Sequence, residues 1–232
     1  MKILKHDNSG CKHCTFKSLL FTKMTDKELD HVNESRKEMA FDKGEIIIKE
    51  HDSVKEFLYL KKGLVKLVKT GENQRERIMS IARPLDFVSL LSTFSDKTYQ
   101  YSVTALEPSV VCSIELDRIK NVIRKNGDFA LELLEHITRS SNLVIQSNYD
   151  IDDKQLRGRI AYIILWFAQK IYHKNRFELP ISRKEIGELI NMTTENVIRI
   201  LSEFRKDDII LIDGKTIEII NLEFLERLSK SG

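Results

Sequence analysis

Two sets of residues in this chain have types and spacings that could do chemistry. The first is Glu195 and Arg199, one helical turn apart in TTENVIRIL. A guanidinium can donate a bidentate pair to guanine O6 and N7, and a carboxylate one turn away can accept from cytosine N4. The same spacing also makes an ordinary surface ion pair, worth roughly a few tenths of a kcal/mol. The second set is Cys11-Lys-His-Cys14 together with Cys112. In a cytosolic chain a C-x-x-C suggests metal, cluster or redox chemistry more than a disulfide scaffold. Cys112 alternates in step with Val110 and Ile114 in the strand-like run SVVCSIEL. A cysteine there can equally be a small buried hydrophobe.

The elements that must position the first set can be read around it. Ser182 and Glu185 make a capping box that starts a helix, and Ile186, Leu189 and Ile190 give that helix one apolar face. Asn191 breaks it, since Asn tolerates the left-handed conformation of a tight turn, and Thr193 follows as the N-cap of a second helix. Val197, Ile200, Leu201 and Phe204 recur at helical spacing and are expected to pack on the first helix, with Gly187 where the backbones come close. Thr194, Glu195, Ile198 and Arg199 are left on the outward face, where a recognition helix meets base edges. Two β-branched runs, 209–212 and 216–220, flank Asp213-Gly214, a strong hairpin signal. A hairpin after a helix-turn-helix makes a winged helix with Lys215 at its tip. Ser182, Thr193, Asn196 and Lys215 are the expected phosphate contacts.

The segments ISRKEIG, MTTENVIRIL and DGKTIEI, in that order and spacing, resemble the DNA-binding end of the Crp/Fnr family of bacterial transcription regulators. The resemblance extends over nearly the whole chain. It implies an α+β architecture: an N-terminal antiparallel β-roll effector domain of the cyclic-nucleotide-binding, jelly-roll kind, a long dimerisation helix, and a C-terminal winged helix-turn-helix domain. It also implies that Glu195 and Arg199 read bases, with Ile198 replacing the small or polar residue many members carry. The iron–sulfur oxygen sensors of this family hold a cluster with three N-terminal cysteines and one at a VCxI position. Cys11, Cys14 and Cys112 fall on three of those positions, while the remaining one, after five intervening residues, is Leu20. A four-thiolate cluster would need His13, His6 or a carboxylate in its place. A thiol-based sensor and inert cysteines are the other readings. Members that bind cyclic nucleotides use a Glu for the ribose and an Arg for the cyclic phosphate. Between Asp86 and Glu107 this chain has no arginine, and Lys97 does not replace a guanidinium fork, so a cyclic nucleotide is not expected.

Composition sets the outer bounds. The 232 residues suffice for two domains, and 41% hydrophobic with 31% charged residues is a soluble globular balance. No apolar run approaches the roughly eighteen residues of a membrane span, and MKILKHDNSG has no signal-peptide core. The expectation is a cytoplasmic protein with no membrane partner. A net charge of +3 does not argue for DNA, and residues 182–208 carry slightly more acids than bases, so the motif alone makes that case.

Along the chain, residues 1–24 read as a polar, cysteine-bearing leader before regular structure, and TDKELDHVNES from Thr25 as a short amphipathic helix. Short β-rich runs fill 39–116, which places the β-roll effector domain at 25–127. Leu85 to Phe94 reads as apolar lining or core. A helix follows over 128–152, where Ala130, Leu134, Ile137, Ser141, Val144, Asn148 and Ile151 step by fours and threes as a coiled-coil seam. A homodimer is the expectation, because paired half-sites call for a symmetric reader. Residues 151–154 are the expected hinge. The DNA-binding domain spans 153–232, with a core helix from Leu156 to about His173, Arg157 and Arg159 either bridging neighbours or reaching phosphates, and a short amphipathic tail, 222–228.

The six histidines form no HxH or HxxxH pair, and no catalytic motif is present, so enzyme activity is not expected. The function expected is an effector-controlled, dimeric transcription regulator on a near-palindromic operator, contacting RNA polymerase if it activates. The rival is a winged helix that binds protein.

Overall fold

The computed structural model describes residues 1–4, 11, 14, 19–73 and 76–231. They form two compact units, 1–142 and 143–232, with the boundary inside the long helix rather than at either of its ends.

The first unit is a β-roll of two four-stranded antiparallel sheets. Strands β1 (Lys2–Ile3), β2 (Lys37–Phe41), β4 (Glu56–Lys62) and β8 (Ser109–Glu115) form one sheet in the order β1-β2-β8-β4. Strands β3 (Ile46–Ile48), β5 (Val65–Thr70), β6 (Glu76–Ala82) and β7 (Ser102–Ala105) form the other, in the order β3-β7-β5-β6. Strands β4 and β8 of the first sheet are buried on both faces, and period-2 alternation sorts their side chains. Leu58, Leu60 and Val111 point into a core shared with the second sheet, including Val65, Leu67 and Val103. Phe57, Tyr59, Cys112 and Ile114 point the other way, into a second core closed by α1 (Asp26–Asn33), α3 (Leu116–Lys125) and the first turns of α4 (Gly127–Asp152).

The leader is not separate from this unit. Lys2 and Ile3 pair with Ala40 and Met39, and Phe21 and Met24, on and after a short 3-10 turn at Leu19–Lys23, are buried in the second core. Thr25 caps α1 in a full capping box with Glu28, whose carboxylate also accepts from Asn126 Nδ2 at 3.0 Å. In the segment 85–94 the interior is partly polar: Ser89 and Ser92 are fully buried beside Phe87 and Val88, while Leu85 and Phe94 are exposed. A single helical turn, α2 (Leu90–Thr93), lies within it.

The second unit packs α5 (Leu156–Trp166) and α8 (Leu222–Ser231) with a helix-turn-helix and a three-stranded sheet. After Trp166 the helix widens to a π-helix, Phe167–Tyr172, and stops at His173, whose φ of 52° is left-handed. The sheet runs β10-β11-β9, with β9 (Arg176–Glu178) a third strand beside the expected hairpin of β10 (Ile210–Asp213) and β11 (Thr216–Ile219). No helix among the described residues is long and apolar enough to cross a membrane.

Candidate nucleic-acid interface

The helix-turn-helix consists of α6 (Arg183–Leu189) and α7 (Thr194–Lys206). Ser182 caps α6, its hydroxyl accepting from the Glu185 N–H at 3.2 Å while the Glu185 carboxylate accepts from the Ser182 N–H at 2.7 Å. Asn191 takes φ +55° in the turn, and Thr193 caps α7 by accepting from the Asn196 N–H at 3.3 Å. A Cβ at Gly187 would stand 2.5 Å from the backbone oxygen of Met192, so the close approach is to the turn itself. Val197, Ile200, Leu201 and Phe204 are all buried. The wing turns through Gly214 (φ +59°) and Lys215, one residue later than the Asp-Gly signal centres it, since Asp213 still pairs with Thr216. Lys215 is exposed at that tip, and the Arg183 guanidinium donates to the Gly214 carbonyl.

This scaffold leaves Glu195, Ile198 and Arg199 exposed on one side of α7, with Thr194 and Asn196 half-buried at its start. Glu195 and Arg199 do not pair with each other. The Glu195 carboxylate is held below its ordinary range by its own backbone N–H and by the Thr193 hydroxyl. Arg199 reaches forward instead: Nη1 donates to Glu203 Oε1 at 2.5 Å and Nη2 to Asn196 Oδ1 at 3.3 Å.

Arg157 and Arg159 bridge within the protein. Arg157 pairs with Glu203 at 2.8 Å and with Asp207 at 3.2 Å. Arg159 clamps the turn to the end of α4, donating to the carbonyls of Ile190, Asn191, Asp152 and Lys154 at 2.9–3.2 Å. Asn191 Nδ2 adds a bond to the Asp152 carboxylate at 2.9 Å. Sequence reasoning missed Glu203; its spacing of four from Arg199 was the available signal.

The expected seam on α4 is shifted. Leu134 is 59% exposed and Ile137 is partly buried against the core of the first unit, but Ile151 is 4% exposed within the single chain, so its side chain is not available to a partner. Ala130, Ser141, Val144 and Asn148 are half-buried, and the Asn148 amide bonds the Val144 carbonyl of its own helix. A strict four-three row drifts about 20° per heptad on a straight helix, and over this helix the drift carries the row into the packed face. The row that stays outward is Leu131, Leu134, Thr138, Ile145 and Tyr149, its four large members 57–66% exposed.

Cys11, Cys14 and Cys112 line one cavity with Phe21, Arg36, Tyr59, Lys61 and Ile114. Its volume is about 30 Å³, room for a water or two. Burial, with Cys11 beside it, pushes the Cys112 thiol up to about 12. Glu38, on the neighbouring strand, ties Arg36 at 3.0 Å and Lys61 at 2.8 Å. Three thiols line this cavity, and Leu20, at the position of the fourth cysteine that the resemblance implies, offers no donor atom, so the described cysteines are one ligand short of a four-thiolate cluster. Among the described residues no three His, Cys, Asp or Glu side chains are placed to hold a metal. His6 and His13 lie outside the described residues.

In the segment where a cyclic phosphate would be held, the hydroxyls serve the roll. Ser89 Oγ accepts from the Leu58 N–H at 3.0 Å, Ser92 Oγ from the Gln100 N–H at 3.1 Å, and Thr93 donates to the Ser89 carbonyl at 2.6 Å.

A β-roll, a long helix and a capped helix-turn-helix with a wing define a DNA-binding regulator with an effector domain. The family model for a cyclic nucleotide-binding domain matches residues 38–126, and that for a Crp-like helix-turn-helix domain matches 158–228. The fumarate and nitrate reduction regulatory protein of Yersinia pestis is 25% identical over 98% of this chain and 95% of its own length. The transcriptional activator protein Anr of Pseudomonas protegens is 24% identical over 95% and 93%. Among solved structures, FixK2 from Bradyrhizobium japonicum superposes with a TM-score of 0.74 at 20% identity, over 84% of this chain and 98% of that one. TTHB099, a CRP-family transcriptional regulator from Thermus thermophilus, gives 0.72 at 20% identity, over 84% and 97%. The chain belongs to the Crp/Fnr family and is a DNA-binding transcription regulator.

Proposed function

We propose that two copies of this chain pair along α4 and read a near-palindromic operator in double-stranded DNA, one α7 in the major groove at each half-site. The observation that carries this reading is the exposed row Glu195, Ile198 and Arg199 on a helix whose opposite face is wholly buried. Arg199 reads a guanine, Glu195 the cytosine amino group, and Thr194 and Ile198 flank them. Ser182, Thr193, Asn196 and Lys215 meet the phosphates on either side.

The outward row of Leu131, Leu134, Thr138, Ile145 and Tyr149 supports the dimer, since such a stripe of apolar surface marks an interaction site. The half-sites then lie about one turn, roughly 34 Å, apart. Regulation follows if an effector at the first unit binds one arrangement of the dimer better than the other. That effector is not cyclic AMP, because the segment that would grip its phosphate has no arginine and its hydroxyls are engaged by backbone. The protein acts in the cytoplasm, where its DNA is, and as an activator it also touches RNA polymerase.

Selection of a random duplex pool by the full chain tests this. An inverted repeat is expected. On that operator Arg199→Ala costs about 1–3 kcal/mol and relaxes the preference at one base. Equal losses on operator and random DNA refute the assignment. A pool that yields no preferred sequence favours a protein-binding winged helix instead.

A further inference from the structure

We infer that Glu203 is a positioning residue for operator reading: it aims the Arg199 guanidinium. The inference rests on base reading by Arg199, proposed above. Glu203 lies outside the base-reading row, one turn further along α7, and its two carboxylate oxygens do different things. Oε1 accepts from Arg199 Nη1 at 2.5 Å, while Oε2 accepts from Arg157 Nη1 at 2.8 Å. Arg157 is fixed in its turn. Its Nη2 donates to Asp207 at 3.2 Å, and its guanidinium lies 5.1 Å over the ring of the buried Phe204.

An isolated surface ion pair at this spacing orders two long side chains at once and gains little. Here one of the two is already ordered from below. Arg157 holds the carboxylate, and the carboxylate with Asn196 Oδ1 holds both terminal nitrogens of Arg199. A guanidinium has five N–H donors, so three remain in a fixed plane for a base edge. Planar bidentate recognition needs that plane set before contact, and a side chain ordered in advance loses less entropy on binding. The negative charge also keeps Arg199 from swinging to a phosphate, which would bind DNA without reading it.

The test uses the full chain, its selected operator and a random duplex of equal length. Glu203→Gln keeps the shape and removes the charge. Discrimination between operator and random DNA is expected to fall about tenfold, with binding to random DNA unchanged or tighter. In an Arg199→Ala background the same substitution is expected to change discrimination by less than about twofold, because its target is gone. Asp207→Asn removes one of the contacts that fix Arg157 and leaves Glu203 and Arg199 in place, so a fall in discrimination smaller than that of Glu203→Gln is expected.

Unchanged discrimination in Glu203→Gln overturns the inference. So does an equal fall in the Arg199→Ala background, which places the action elsewhere. If Arg199→Ala itself leaves discrimination intact, base reading fails and takes this inference with it. A collapse in Arg199→Ala with no effect of Glu203→Gln removes this inference alone.

Discussion

Two carboxylates in this chain each serve two cations, and they differ mainly in burial. Glu38, in the β-roll, takes Arg36 and Lys61, and the Arg36–Glu38 pair has side chains 3% and 9% exposed. Glu203, on α7, takes Arg157 and Arg199, and its side chain is 32% exposed against 55% for Arg199. Inside the roll the charges have left water and depend on one another, so the arrangement is a requirement of the fold. On α7 the same arrangement sits at the surface, where it adds little to stability but fixes where a guanidinium points. The difference teaches that a shared carboxylate is structural or functional according to which of its cations still faces solvent.

The largest effect is therefore expected at the buried site. Glu38→Ala takes the carboxylate from two cations beside the cysteine cavity, one of them buried, and should cost about 3–5 kcal/mol, read as a lower urea midpoint for the first unit. A cost below about 1 kcal/mol would break the comparison, since it would mean that water reaches Arg36 and Lys61 well enough to replace the carboxylate. Next comes Gly187→Ala. Its added Cβ meets a backbone oxygen at 2.5 Å, which cannot rotate away as a side chain could, so the turn between α6 and α7 must open. A loss of about 1–3 kcal/mol is expected in the second unit, together with weaker binding to operator. Retained stability with unchanged binding would show that the turn has slack which the packing does not suggest.

What could be read in the sequence was local. The capping boxes at Thr25 with Glu28 and Ser182 with Glu185, the left-handed Asn191 and the Thr193 cap each follow from residue types three or fewer positions apart. The outward face of α7 followed from helical period, because its buried and exposed residues separate cleanly. Long-range choices stayed hidden. Nothing in EFLYLKK tells that β4 lies beside β8, or that the leader strand closes the sheet against β2. Strand β9 is three residues long, too short for alternation to be read. At Ile151 the α4 seam misleads for a different reason: a four-three spacing was followed over three heptads on a helix whose period lets the row drift toward the packed face. Both shared carboxylates were missed: the spacing of four from Arg199 to Glu203 marks one pair, but the second cation of each carboxylate, Arg157 or Lys61, comes from a distant segment and shows only in the fold.

Thr193→Ala should come third in size. It removes the acceptor for the Asn196 N–H and the hydroxyl beside Glu195, for about 1 kcal/mol of stability. It should also let the Glu195 carboxyl titrate closer to its ordinary range, which carbon-13 shifts of that carboxyl would follow against pH.

The smallest effect closes the comparison. Glu203→Ala should change the unfolding free energy of the second unit by less than about 1 kcal/mol, and added salt should shrink even that, because its partners remain in water when it is removed. Arg157 keeps Asp207 and the face of Phe204 and is 37% exposed, against 3% for Arg36. Urea unfolding of Glu203→Ala beside Glu38→Ala, at low and high salt, measures the contrast directly. Equal costs at both sites, insensitive to salt, would mean that the α7 network is a stability element. Its hold on Arg199 would then be a by-product of folding.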